Sequence, residues 1–335
     1  MNKTRVWFNH WFSTVYHIIG LMRQAADICV IGSNKNEESV MGLACDELYT
    51  EPWDISGDEY AEFCLEFCRI HKIDIFAPRR ERAAISRRAA DFEKMGVKLL
   101  MDTDPVMMDI LNSKTETYRF FADLIPEAIP EYYEVTDLDG FVSAYNNIIS
   151  SHDRACFKFA DDEGASSFRV IDNRMTGREG LFKAPGLKIT YDKAVEIFSE
   201  YDFEKSIIVM PYLTGTEVSA DCLATSEGNI IIPRYKPGGR IYTVKYEPEI
   251  MDCCEKILAR TGLEMPCNIQ FIYDNSKPML LEINTRMSGG VQLSCAAAGV
   301  NIPGAALNKL SGKPVNISYE KTERHVSYIE TPVTF

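Results

Sequence analysis

The stretch PCNIQFIYDNSKPMLLEINTRMSGG, residues 266 to 290, spaces oxygen-bearing and cationic side chains at strand intervals. Read as two strands joined at DNSKP, it sets Glu282, Asn284 and Arg286 two residues apart. Side chains two apart on a strand share a face, so these three line one side while Leu281 and Ile283 enter the core. A hairpin closing about Ser276 would bring Gln270 opposite Glu282 and Asn268 opposite Asn284. One carboxylate and several amide oxygens form a hard donor set of the kind Mg²⁺ takes when substrate phosphates complete its shell. A guanidinium beside it suits a phosphoryl group through its planar fork. A polar outer face on an edge strand is the plainer alternative.

The rest of the chain must position that hairpin. Residues 1 to about 112 alternate short apolar runs (RVWFN, DICVIGSN, IDIFAP, VKLLM) with helical patterns from Thr14 to Ala25, Glu59 to His71 and Glu81 to Met95. This alternation predicts a parallel sheet with helices on its faces. Polar residues end its strands: Asn9, His10 and Ser13, then Ser33 and Asn34, then Arg79 and Arg80. Ligands of open α/β sheets sit at such carboxyl ends, and no GxGxxG favours a dinucleotide. An anionic acceptor at Asn9, His10, Ser13 and the free N–H groups of the following helix is the expectation, against a rival in which His10 and Trp11 only pack. From about residue 113 the pattern turns to mixed α and β. The fold class expected is α/β and α+β, a Rossmann-like domain (1–112) followed by two mixed subdomains (113–200 and 201–335).

Composition narrows the function. The 335 residues are 46% hydrophobic and 25% charged, with a net charge of -13, which argues against a nucleic-acid partner. The apolar N-terminal run is interrupted by Asn9, His10 and His17 and lacks a small-residue cleavage site, and no run is long enough to span a membrane. A cytoplasmic protein with no membrane partner is the expectation. The ten scattered cysteines contain no CxxC and read as reduced thiols.

Three further segments bear on anions. NSKTETYRFFADL lets Ser113 cap a helix opened by Lys114; CFKFADDEGASS is a strand holding Lys158 followed by a small-residue turn able to cradle an anion. PRYKPGGRIYTVKYE gathers Arg234, Lys236, Arg240 and Lys245, either a basic substrate surface or a solvated loop, with Arg234 the first choice as phosphate ligand and Arg240 the second. Asp221 either faces a site or caps a polar strand face.

Together, Gln270 with Glu282-Ile-Asn284-Thr-Arg286, the NSK element and the Lys158 strand resemble ATP-grasp enzymes, in particular the carbamoyl phosphate synthetase and carboxylate-amine ligase branch. FNHWFSTVYHII and the PRRERAAISRRAADFEKMGVKLLM run are similar to ATP-grasp proteins associated with bacterial tellurium-resistance operons. The resemblance implies ATP and Mg²⁺ (or Mn²⁺) as cofactors, with Gln270, Glu282 and Asn284 on the metals and Arg286 on the γ-phosphate or acyl phosphate. It implies nucleotide contacts from Lys114, Lys158, the turn residues Glu163, Ser166 and Ser167, the hinge at Met210, Tyr212 and Leu213, and the ribose carboxylate Glu217. The turn holds only Gly164 where the family often has several glycines, and neither Met210 nor Pro211 is the hinge glutamate that many members carry. The implied activity is an ADP-forming carboxylate-amine ligase working through an acyl phosphate on small-molecule carboxylate and amine substrates. A carbamoyl phosphate synthetase-like kinase and a non-catalytic ATP-binding regulator are the alternatives. Oligomeric state stays open, a homodimer being the candidate.

Overall fold

The computed structural model describes residues 3–36, 38–161, 167–174, 186–236, 238–315 and 317–334. Its first part runs β1 (Thr4–Asn9), α1 (Val15–Ala25), β2 (Ile28–Asn34), β3 (Glu47–Thr50), α2 (Gly57–His71), β4 (Ile75–Ala77), α3 (Arg82–Arg87), α4 (Ala89–Lys94), β5 (Lys98–Leu99) and α5 (Pro105–Asn112). The middle continues with α6 (Lys114–Phe121), β6 (Tyr133–Val135), α7 (Leu138–Ile149), β7 (Ala155–Phe159), β8 (Arg169–Ile171), β9 (Lys188–Ile189), α8 (Tyr191–Glu200) and β10 (Ile207–Pro211). The last part holds β11 (Glu217–Thr225), β12 (Gly228–Lys236), β13 (Ile241–Val244), α9 (Pro248–Thr261), β14 (Cys267–Asp274), β15 (Lys277–Asn284), α10 (Val291–Ala298), α11 (Ile302–Leu310) and β16 (Arg324–Ser327).

The chain divides into two compact units: residues 1–109, 216–270 and 283–335 form one, and 110–215 with 271–282 form the other. In the first unit β1 to β5 form an all-parallel sheet in the order β3-β2-β1-β4-β5. Its strands are short and buried on both sides: Val6 and Phe8 join one core with α1, while Trp7 joins another with α2, stacked between Phe67 and Phe76. Helix α1 inserts Val15, Ile18, Ile19 and Met22, the 3.6-residue stripe of an amphipathic helix. The continuous helix expected from Glu81 to Met95 is instead two short helices broken at Arg88, whose φ of -104° and ψ of 11° leave the helical region. Strand β3 was not expected: it has four residues, none fully buried, so no period-2 pattern marks it.

The second unit contains the sheet β6-β10-β7-β8-β9, covered by Phe141, Ile148 and Phe198 from α7 and α8. The remaining sheet has the order β15-β14-β11-β12-β13-β16, and the hairpin β14–β15 crosses the division between the units. Asn275 and Ser276 both have positive φ, 45° and 74°, the two-residue turn whose twist matches an antiparallel pair. The turn is therefore centred between these residues rather than on Ser276, and the pairings expected from closure about Ser276 no longer follow. On β15 the buried positions are Pro278, Leu280 and Ile283, so the alternation shifts within the strand and Leu280, not Leu281, joins the core. No described helix is long and apolar enough to cross a membrane.

Candidate functional site

In the second unit, two lysines meet one carboxylate. Ser113 caps α6, its hydroxyl accepting from Glu116 N at 3.4 Å, and Lys114 opens the helix with its own amide bonded to Ala160 O at 3.0 Å. Lys114 Nζ lies 3.3 Å from Glu282 Oε2, and Lys158 Nζ, from β7, lies 3.8 Å from the same oxygen. Tyr118, one turn along α6, donates its hydroxyl to Leu281 O at 2.9 Å, which fixes the helix against the strand that carries Glu282. Burial, followed by the Glu282 charge, pushes the Tyr118 phenol far up, so it remains a donor. All three ionic side chains are largely withdrawn from water, 8%, 13% and 18% exposed for Lys114, Lys158 and Glu282. Two ammonium groups converging on one carboxylate where screening by water is weak make a fitting receptor for phosphate.

The hinge residues lie in the same unit. Met210 ends up nearly buried and pairs with Cys156 across β10 and β7. Tyr212 donates its amide to Arg154 O at 2.9 Å while the Arg154 guanidinium covers its ring at 4.7 Å. Leu213 is half-buried beside it. Ser167, expected as a phosphate donor, accepts from Phe159 N at 2.9 Å and so helps close β7 onto β8. Glu163 and Ser166 lie outside the described residues, as does most of the expected small-residue turn.

The first unit holds the other half of the expected set. Gln270 donates Nε2 to Asn268 Oδ1 at 3.0 Å, which commits its nitrogen and leaves Oε1 as the ligand atom. Asn284 follows Glu282 by two residues on β15, and Arg286 lies just beyond the strand, donating Nη1 to Met287 O at 3.3 Å. Asn268, expected on the ligand face, is instead fully buried. Its Nδ2 donates to Ser219 Oγ, Ala220 O and Asp221 Oδ1 at 2.9, 3.2 and 3.0 Å.

Arg234 and Asp221 belong to that same buried network. Arg234 Nε bonds Ser294 Oγ at 3.2 Å, its Nη2 reaches Ser219 and Ser288, and Ser294 donates to Asp221 Oδ2 at 2.6 Å. Asp221 thus turns inward, since a buried carboxylate must be paired. A Cβ on Gly290 would fall 2.4 Å from Arg234 Nη2, so the bare backbone there makes room for the guanidinium. The expected basic surface does not assemble. Lys236 pairs with Glu217 at 3.4 Å, Arg240 with Glu330 at 3.4 Å, and Lys245 with Glu247, while Arg234 points inward. Glu217 stands at the exposed start of β11.

At the carboxyl ends of the parallel sheet, Asn9 is buried and fully used, donating to Tyr60 Oη at 2.8 Å and accepting from Arg79 N at 2.6 Å. The free helix N-terminus expected after it is not free. The amides of Val15, Tyr16 and His17 bond the carbonyls of Phe12, Ser13 and Thr14 at 3.0, 3.1 and 3.2 Å. Sequence reasoning missed Glu51, which follows β3 and lies 3.1 Å from His10 Nδ1; recognising ELYT as a strand would have placed it at the same sheet edge.

No three described His, Cys, Asp or Glu side chains gather as a metal group, and the expected set is one carboxylate and two amides. Oxygen donors of that kind fit Mg²⁺ or Mn²⁺ and do not fit a thiophilic ion.

The family described as ATP-grasp in the biosynthetic pathway with Ter operon matches residues 203–332. The carbamoyl phosphate synthase arginine-specific large chain of Bacillus subtilis (strain 168) is 22% identical over 322 residues, 90% of this chain but 28% of that protein. The chain therefore spans under a third of that relative's length. Among solved structures, N5-carboxyaminoimidazole synthetase from Staphylococcus aureus complexed with ADP has a TM-score of 0.70 at 9% identity, covering 96% of this chain and 81% of its own. The biotin carboxylase domain dimer of Hydrogenobacter thermophilus 2-oxoglutarate carboxylase, with MgADP and bicarbonate, has a TM-score of 0.68 at 14% identity, covering 98% and 73%. At those identities the solved structures show the fold, which is that of ATP-grasp proteins, and residues 203–332 match an ATP-grasp family.

Proposed function

We propose that the chain is an ADP-forming ligase that activates a small carboxylate as an acyl phosphate and transfers the acyl group to an amine. The observation that carries this reading is the convergence of Lys114 and Lys158 on Glu282. Without nucleotide, Glu282 is the counter-ion of both lysines. With nucleotide, the lysines pass to phosphate oxygens and Glu282 is released to a cation, so the same three side chains serve both states at little reorganisation cost.

Gln270, Glu282 and Asn284 would hold Mg²⁺ or Mn²⁺, which supplies charge neutralisation at the phosphates. Arg286 stabilises the transferring phosphoryl group through its fork. Arg234 supports the α10 side of the fold in this reading, its Nε and Nη2 donating to Ser219, Ser288 and Ser294. Met210, Tyr212 and Leu213 receive the base through backbone groups, and Glu217 receives the ribose. Phosphoryl transfer needs positioning and charge stabilisation more than a protein nucleophile, and the ten cysteines, eight of them buried, suit a chain that uses none. Similarity to a carbamoyl phosphate synthase large chain supports acyl phosphate chemistry, and the neighbours that bind ADP or MgADP support the nucleotide.

The test is an ADP-release screen of purified protein with ATP and Mg²⁺ against amino acids and small carboxylates, with mass spectrometry of products. ADP, phosphate and an amide are the expected yield. AMP and pyrophosphate would exclude the acyl phosphate route. A released acyl phosphate would mark a kinase, and nucleotide binding without turnover a regulator.

A further inference from the structure

The parallel sheet of the first unit carries a group of side chains that phosphate chemistry leaves unused. His10 leaves β1 in the left-handed region, φ 50°, with its amide bonded to Ser33 O at 2.8 Å. A histidine held there costs energy that surrounding contacts must supply. Those contacts have a fixed direction. The indole of Trp7 can only donate, and it donates to Ser33 Oγ at 2.9 Å. The Ser33 hydroxyl hydrogen is thereby turned to Glu51 Oε2, 2.7 Å away. Glu51 accepts at that oxygen, and its Oε1 lies 3.1 Å from His10 Nδ1, a contact in which an ionised carboxylate would take the Nδ1–H. Nε2 is left as the basic nitrogen. The Glu51 side chain is 0% exposed and the imidazole 32%, so a buried carboxylate backs a ring that reaches solvent.

The loop bearing this ring adjoins the segment that carries Arg286, within the same unit. A Cβ on Gly289 would lie 3.7 Å from Thr14 Oγ1, Trp11 and Met287 share one core, and Arg82 Nη1 donates to Thr285 Oγ1 at 2.7 Å. The other charged groups at this edge are Arg79, over the Phe12 ring at 5.1 Å, and Arg80, over Tyr60 at 4.3 Å and bonded to the carbonyls of Pro52, Trp53 and Ile55. The rim is aromatic and exposed at Phe12 and Trp53, 59% and 71%.

We propose that His10 accepts a proton from the amine nucleophile and that Glu51 is its positioning residue, an assignment that rests on the ligase reading above. The ammonium form of the substrate gives one proton to His10 Nε2, exposing the nitrogen lone pair. That nitrogen attacks the acyl carbon, the C–N bond forms, and the C–O bond to phosphate breaks with its electron pair leaving on phosphate. The second nitrogen proton leaves with the phosphate as HPO₄²⁻. The imidazolium faces Glu51 until it returns its proton to solvent. A carboxylate behind Nδ1 both fixes the tautomer and stabilises the cation.

The experiment compares two nucleophiles on the full chain with ATP, Mg²⁺ and each amino acid in turn as carboxylate. Methylamine is an ammonium ion at neutral pH and needs a proton acceptor; hydroxylamine is already unprotonated. His10→Gln should lower amide formation with methylamine about a hundredfold, while hydroxamate formation stays within about threefold of wild type. Equal loss with both nucleophiles, or no loss, overturns the proposal. If no carboxylate yields ADP, the ligase reading fails, and ¹⁵N NMR of the histidines decides the dyad. His10 should be the Nδ1–H tautomer in wild type and lose that preference in Glu51→Gln; an Nε2–H tautomer, or indifference to Glu51, overturns it.

Discussion

Glu282 faces two ammonium groups that are themselves withdrawn from water, so its charge matters before any substrate arrives. Glu282→Gln keeps the shape and removes the charge. ADP release should fall about a hundredfold or more, since a ligand worth roughly 3 kcal/mol of barrier corresponds to two decades in rate. Melting should stay cooperative, with a loss on the order of 1–3 kcal/mol from leaving the lysines without their counter-ion. Near-normal turnover would remove the metal assignment. At this scale the strand spacing of Glu282 and Asn284 was legible in the sequence itself, and both lie on β15. Asn268 and Arg234 were misread for the reason that a polar residue's spacing cannot reveal whether its partners lie within the core. Asn268 bonds Ser219, Ala220 and Asp221, and Arg234 bonds Ser219, Ser288 and Ser294, positions far from them in sequence.

Strands and helices were read best where a core face repeats, as in α1 and β2, and least well where an element is short or breaks. Arg88 interrupts a helix without glycine or proline, and ELYT lacks an apolar alternation. The junction of β10 with β11 gives a sharper test of element packing. A Cβ on Gly215 would fall 2.0 Å from Tyr273 O, within the second unit, and a backbone oxygen cannot swing aside as a side-chain tip can. Gly215→Ala should therefore destabilise the chain by about 2–4 kcal/mol, measured by denaturant titration. A loss below about 0.5 kcal/mol, the size of an ordinary surface substitution, would contradict the close approach.

For the molecule as a whole, Asp102 is the clearest pH-sensitive fastening. It follows β5 and accepts the amides of Glu264 and Met265 at 2.7 and 3.2 Å, tying the parallel sheet to the segment after α9 in the first unit. Burial raises its carboxyl from the ordinary value to about 6, against the pull of those amides. A proton held more tightly folded than unfolded stabilises the fold below about pH 4 and ceases to do so as pH rises through about 6. Melting temperature compared between wild type and Asp102→Asn should show wild type losing ground between pH 4 and 6.5; parallel curves would mean the carboxyl is not perturbed.

The first unit is assembled from three separated stretches of chain, and its helix α1 is completed only by α11. Asn301 Nδ2 bonds Leu21 O at 2.7 Å across 280 residues of sequence. On a ribosome adding roughly 5–20 residues per second, α1 can pack on β1 and β2 early, but its side toward α11 waits on the order of 15–60 s for the residues that cover it. Until residues 302–310 emerge, the face of α1 turned to α11 stands uncovered, and the yield of folded chain turns on a segment made long after the helix it closes.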